Sequence, residues 1–207
     1  GIEMDANKII NGLNANTIQH LVFDAGAFFK NFDVKTDTFE TAVTGGKLIG
    51  ATKGGGSFKA VPGFRTIELD GMRGATKGTK ILESWSVTMG AKIAEITPEV
   101  LTAALGAAAD VETVGTGQKP TNYKKITGKN SIALKDYIDN ITWVGTISGS
   151  SDPVIIQVFN ALNEKGVELS FEDKGELTIE TEFVGHYDMK TKEVPFVIYY
   201  PKLTEAI

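Results

Sequence analysis

The sequence predicts a mainly β protein, a two-sheet sandwich or barrel with one flanking α-helix and long loops or arms. Three observations carry that expectation. Between Lys80 and Ile96 the residues alternate: Ile81, Trp85, Val87, Met89, Ala91 and Ile93 fall on one face, Ser84, Ser86, Thr88, Gly90 and Lys92 on the other. Period two is the signature of a half-buried strand. At ~3.3 Å per residue the run reaches about 45 Å, so it needs many partners. From Ser131 to the end the chain again reads as short β runs separated by turn residues. The third observation is a single convincing helix over residues 97–108. Thr97 suits the N-cap, Pro98 the first helical position and Glu99 the positive end of the dipole. Leu101, Ala104, Leu105 and Ala108 recur at helical spacing as its apolar stripe.

In chain order, residues 1–18 are Asn-rich and lack a core pattern, which predicts an arm; residues 19–207 form one domain. His20-Leu21-Val22-Phe23 reads as the first strand. After Asp24-Ala25-Gly26, the stretch Phe28–Val34 follows, and its three phenylalanines in five residues mark a core edge. Lys47–Thr52 and Ser57–Pro62 read as a hairpin closed by Lys53-Gly54-Gly55-Gly56. The glycines supply positive φ, and Pro62 marks where pairing stops. Arg65–Leu69 reads as another strand, and Asp70-Gly71 is a strong turn dipeptide. Beyond the helix, residues 110–130 are polar and turn-rich and read as a segment connecting two layers.

Ile141–Ile147 reads as a strand, 148–153 as a loop, and Val154–Phe159 as a buried strand. Asn163-Glu164-Lys165-Gly166 turns the chain. The next hairpin has the plainest alternation. Val167, Leu169 and Phe171 oppose Leu177, Ile179, Thr181 and Phe183 across Asp173-Lys174-Gly175. Its other face is a comb of glutamates that includes Glu168, Glu172, Glu180 and Glu182. Val194, Phe196, Ile198 and Tyr200 make a last strand, stopped by Pro201.

The 207 residues are 42% hydrophobic and 23% charged, enough apolar material for a substantial core. No apolar run approaches the ~20 residues that span a bilayer, so no membrane segment is expected. A leader peptide is not expected either, and Gly1 in place of Met points to a trimmed start. With no cysteine there is no disulfide, thiol nucleophile or thiolate metal site. The net charge of −5 is unevenly placed. Lys47–Lys80 holds seven basic against two acidic residues, while Glu164–Glu193 holds nine acidic against four basic. Opposed blocks of this kind suit head-to-tail association; the alternative is a solvated surface of uneven charge.

Candidate chemistry is sparse. His20 and His186 stand far apart, and a metal pair built on His186-Tyr187-Asp188 is a weaker reading than a strand-end histidine. Gly-x-Ser-x-Gly is absent. Gly45-Gly46-Lys47 and Gly54-Gly55-Gly56-Ser57 lack the spacing and the following helix of a phosphate loop. Evenly spaced exposed glutamates stay ionised, which disfavours a glycosidase pair. Phe58 and Phe64 near Lys53, Lys59 and Arg65 faintly suggest a stacking platform, but the chain is acidic overall. No enzyme, cofactor or metal is expected.

Four segments carry a likeness to a known family. They are Asp24-Ala25-Gly26-Ala27-Phe28-Phe29-Lys30-Asn31-Phe32, Lys47-Leu48-Ile49-Gly50-Ala51-Thr52-Lys53-Gly54-Gly55, Ile67–Gly74, and Ala161-Leu162-Asn163 with Gly185-His186-Tyr187-Asp188. Through them the chain resembles the major tail tube proteins of long non-contractile-tailed bacteriophages of Gram-positive hosts. That resemblance implies a virion structural subunit, present in the host cytoplasm before assembly. Six copies would make a ring, and stacked rings a tube that conducts double-stranded DNA without binding it specifically. Its partners would be further copies of itself and other tail proteins such as the tape measure, terminator and distal tail proteins. Loops bridge rings in that family, which assigns the role here to Lys47, Lys53, Gly54, Gly55, Gly56 and Lys59. A conduit wall should not hold DNA, so the face of Glu168, Glu172, Glu180 and Glu182 is the expected lumen lining; the competing reading leaves those glutamates on the outer surface. A second class also fits an all-β chain, a carbohydrate-binding or adhesion module with Trp85 or Trp143 as platform. Both tryptophans fall on apolar strand faces, which favours core.

Overall fold

The computed structural model describes residues 23–147 and 150–202. The expected arm, His20–Val22, and Ser148 and Gly149 of the 148–153 loop lie outside the described residues. The chain is mainly β, 42% strand and 11% helix. Its elements are β1 (Phe23–Lys30), α1 (Phe39–Thr44), β2 (Thr52–Thr66), β3 (Lys80–Ile93), α2 (Pro98–Leu105), β4 (Ala109–Thr113), β5 (Lys124–Gly128), β6 (Ile138–Ile147), β7 (Val154–Asn163), β8 (Ile179–Val184) and β9 (Phe196–Tyr199). Seven strands form one sheet in the order β1-β6-β7-β8-β3-β2, with β9 also on β7, and β4–β5 is a separate two-stranded sheet.

A kink in β7 folds the large sheet over itself. Asn160 adopts φ +49, a conformation that asparagine tolerates better than most residues. On one side of it Ile155–Val158 pair with β9; on the other Leu162 and Asn163 pair with β8. The kink is fastened to the chain after β8. The Asn160 amide donates to the His186 carbonyl at 3.0 Å, and the His186 backbone N–H donates to Phe159 O at 3.1 Å. The result is two stacked layers, β1-β6-β7-β9 against β8-β3-β2, the sandwich that the alternation predicts.

Period two decides what lies between the layers. Val87, Met89, Ala91 and Ile93 of β3 and Ile179 and Phe183 of β8 meet Phe28, Ile141, Val158 and Ala161 from the other layer. Phe29, next to Phe28, points the opposite way. It joins Phe32, Ala42 and Val144 in a second cluster beneath α1. Phe183 and Phe29 are wholly buried. Trp143 lies over the paired glycines Gly26 and Gly145, where a Cβ on either would collide with its indole.

Helix α2 closes one end of the sandwich. Thr97 Oγ1 accepts from Val100 N at 3.1 Å, as its N-cap position requires. The helix ends at Leu105, and residues Gly106–Ala108 tighten to a 3-10 turn. Its buried side is Val100, Ala103 and Ala104, so the expected stripe through Leu101 and Leu105 is displaced by about one position.

Several expectations need correction. Lys53–Gly56 does not close a hairpin; it lies inside the single 15-residue strand β2. Thr52 pairs with Ile93 and Gly56 with Ala91, so two additional residues bulge between them. Gly56 is there because the backbone passes so close to the Phe28 ring and Gly90 O that a Cβ would collide with both. Asp24–Gly26 belongs to β1 and carries its bulge. The expected hairpin over 167–183 supplies only its second strand. β3 pairs with β8 along its whole length, and on the other edge β7 meets only Phe183 and Val184, with Asn163 Oδ1 accepting from Glu182 N; residues 167–171 run beside them as an irregular segment. Residues 110–130 hold the β4–β5 hairpin, not a plain connection, and α1 has no counterpart in the sequence reading.

Candidate functional site

The most unusual surface is built by β2 and β3 where they leave the sandwich. From Phe64 to Ser84 every residue is exposed except Met72 and Thr79. The two strands continue as a twisted ribbon, turned by residues 67–79, with Gly71 at φ +88 and Gly78 at φ +94. At its root the Trp85 backbone N–H donates to the Tyr187 hydroxyl at 2.9 Å. The pairing register carries the apolar face of the core outward. Phe58, Ala60 and Pro62 oppose Met89, Val87 and Trp85; then a bulge at Gly63/Phe64 brings Phe64 opposite Leu82 on that same face. Phe64 is 58% exposed and Leu82 50%, and Leu69 at the turn is 60% exposed. The ribbon's own links are an exposed Arg65–Glu83 ion pair at 2.6 Å and a Lys80–Thr66 hydrogen bond, of a kind that contributes about 0–1 kcal/mol.

The residues expected to form a bridging loop are dispersed by the fold. Lys47 sits on the body, its ammonium on Asp37, whose carboxyl is held below the usual range chiefly by that hydrogen bond. The backbone of Lys53, Gly54, Gly55 and Gly56 forms the bulge at the body end of β2, and Lys59 faces solvent opposite Thr88. The element that projects is the ribbon of Gly63–Thr66 and Lys80–Ser84 with the connection 67–79. Part of its signal was in the sequence: Asp70-Gly71 between two β runs is one of the turns in that connection.

The glutamates also separate. Glu180 and Glu182 lie on the solvent face of β8, opposite Lys92 and Gly90 of β3. Glu168 and Glu172 are exposed in the irregular segment before it. Glu180 is paired with Lys165 at 2.7 Å, and that hydrogen bond, aided by Lys92, keeps its carboxyl below the ordinary value. Across β2, β3 and β8 this face therefore reads Ser57, Lys59, Val61, Ser86, Thr88, Gly90, Lys92, Glu180 and Glu182: small hydroxyls, one exposed valine and balanced charge, not a continuous acidic comb. Behind it Asn163 is a buried hub. Its amide donates to Ala104 O and Gly166 O, and its Oδ1 accepts from Glu182 N at 2.9 Å, so α2, the 163–166 turn and β8 are fixed together.

A cavity of about 300 Å³ opens at the α2 end of the sandwich. Leu48, Ala103 and Val111 line it, with Lys30, Lys47, Lys124 and Glu99 also on its walls. One wall, the β4–β5 hairpin, is tied to the body by Lys129, whose ammonium meets Asp136 at 3.0 Å and Asp110 at 3.5 Å. Asp136 is held low by the Ala133 N–H and then by Lys129, and Lys129 is raised chiefly by Asp136.

Among the described residues no group of three or more His, Cys, Asp or Glu is placed to hold a metal ion, and no helix is long and apolar enough to cross a membrane. Segments that lie far apart in sequence meet in space. The Lys30 N–H donates to Lys47 O at 2.8 Å and the Ile49 N–H to Phe28 O at 3.0 Å, while 160–163 packs beside 185–188 through Asn160 and His186. No protein-family model matches the chain, and no curated protein sequence matches it.

Proposed function

We propose that the protein is a structural subunit of a phage-type tail tube, assembling with copies of itself into stacked hexameric rings that conduct double-stranded DNA. The observation that carries this reading is the projecting ribbon. A face that is core in the body of the molecule runs on past Trp85 to Leu82 and Phe64, which are 50% and 58% exposed. Exposed core-like surface of this kind marks an interaction site. The resemblance in Asp24–Phe32, Lys47–Gly55, Ile67–Gly74 and the 161–163 and 185–188 segments supplies the kind of assembly, and two of those segments flank the ribbon's root and turn.

In this reading the solvent face of β2, β3 and β8 looks into the lumen. Glu180 and Glu182 with Ser57, Ser86 and Thr88 would let a polyanion pass, because a wall without net positive charge releases few counterions. The protein is then non-catalytic and needs no cofactor. It meets tape measure, terminator and distal tail proteins at the ends of the tube, and its place is the virion tail. Electron microscopy of the purified full chain at rising concentration tests this. Rings or tubes of uniform diameter are expected; monomers in every buffer and at every concentration would overturn it.

A further inference from the structure

Leu69 lies in the β2–β3 connection, 60% exposed and flanked by Glu68 and Asp70. All three are exposed, and the turn is fixed by Met72 N donating to Leu69 O at 3.3 Å. The cavity at the α2 end offers the complement. Leu48, Ala103 and Val111 form an apolar lining, and Lys30, Lys47 and Lys124 surround it. Of these, Lys47 is held by Asp37 and Lys124 donates to Thr113 Oγ1 at 2.9 Å, whereas the Lys30 ammonium has no ion-pair partner among the described residues. A cavity of about 300 Å³ holds a leucine side chain with room for the backbone of a turn.

Turn and cavity lie at opposite ends of one strand. The cavity adjoins the Ile93 end of β3, where Ala94 N donates to Ala51 O and a Cβ on Gly50 would press on both Ile93 and Val100. The turn lies beyond the Lys80 end. Fourteen residues of strand separate them, about 45 Å at ~3.3 Å per residue. A ribbon cannot bend back over that distance, so any contact between the two is a contact between copies.

We propose that the Glu68-Leu69-Asp70 turn of one copy seats in the Lys30/Lys47/Lys124 cavity of the next, Leu69 against Leu48, Ala103 and Val111, with Glu68 and Asp70 facing the lysines. Arg73, on the return side of the turn, faces Glu99. The contact is heterologous: one surface of each copy meets a different surface of its neighbour, displaced along β3. Such a contact does not close after two copies; it either runs on along a stack or closes into a ring, according to its rotation. The proposal deepens the tube reading by naming where each subunit receives its neighbour's ribbon, and it rests on that reading only for the arrangement of rings around it.

The chain has no cysteine, so an introduced pair reports the contact directly. The full chain carrying Leu69→Cys and Val111→Cys, mildly oxidised at the concentration used for microscopy, should run as a ladder of dimers, trimers and higher species on a non-reducing gel. Each single variant should stop at monomer and dimer. In a second arm, Lys30→Glu with Lys124→Glu should raise the concentration for half-assembly about tenfold or more, and adding Glu68→Lys with Asp70→Lys should reverse most of that loss. Absence of the ladder, or unchanged assembly on charge reversal, would overturn the contact. Microscopy of the unaltered chain separates the two ideas. Tubes without a ladder leave the tube and remove this contact; a ladder without rings or tubes keeps the contact and removes the tube.

Discussion

The β2–β3 pair lives two lives. In the body, residues Gly56–Pro62 and Trp85–Ala91 belong to a layer: β3 has β2 on one edge and β8 on the other from Thr88 to Ile93, and its apolar side is sealed by Phe28, Ile141 and Val158. Past Trp85 the same two strands have only each other. A two-stranded ribbon is marginal alone in water, yet this one runs on through Gly63–Thr66 of β2 and Lys80–Ser84 of β3, with Phe64 facing Leu82 on the face that buries Val87 and Met89 lower down. The difference teaches that alternation fixes which side of a strand is apolar and leaves open what covers it. One half is covered by its own chain, and the other half is the surface offered to another.

The contrast can be broken most severely in the body. Phe183 is wholly buried between the layers, so Phe183→Ala should destabilise the subunit by about 3–5 kcal/mol. Chemical denaturation followed by circular dichroism would show it as a large drop in midpoint. The bulge where the ribbon crosses β1 comes next. Gly56→Val drives a branched side chain into the Phe28 ring and Gly90 O; overpacking of this sort costs about 1–3 kcal/mol, read in the same experiment. A change of less than about 0.5 kcal/mol there would show that the bulge yields, contrary to the close approach described. The smallest effect on the folded subunit belongs to the arm. Phe64→Ser with Leu82→Ser removes two half-exposed side chains and should shift stability by about 0.5 kcal/mol or less. It should nonetheless abolish ring or tube formation seen by sedimentation, and normal assembly of that variant would detach the arm from association.

Much of this was readable from the residues alone. The long alternation of β3, the Thr97-Pro98-Glu99 start of α2 and the buried run of β7 each reflect local physics: side-chain period, capping and apolar length. What stayed hidden was decided elsewhere in the chain. Gly54-Gly55-Gly56 looks like a turn because glycine permits one; that it is a crossing point depends on Phe28, which is remote in sequence. The 167–171 run has the pattern of a strand and keeps half of it, with Val167 and Leu169 packed on the core, but it joins no ladder. The six residues of α1 are too few for a helical period, and only the reciprocal Thr38–Thr41 cap marks its start. For the candidate site, Asp70-Gly71 announced one of the turns in the connection, and the cavity was invisible because Lys30, Ala103, Val111 and Lys124 come from four separate elements.

The continuity of β3 also has a mechanical meaning. A pull on the turn directed along the strand is passed, without any change of element, into the stretch where β3 bonds β8 on one side and β2 on the other. The ladder hydrogen bonds of an antiparallel pair run perpendicular to the strands, so tension along β3 loads them side by side as a shear, all at once, instead of peeling them one after another. The chain therefore anchors its outstretched arm in the arrangement of bonds that best resists being drawn out lengthwise, and it does so with a single uninterrupted strand.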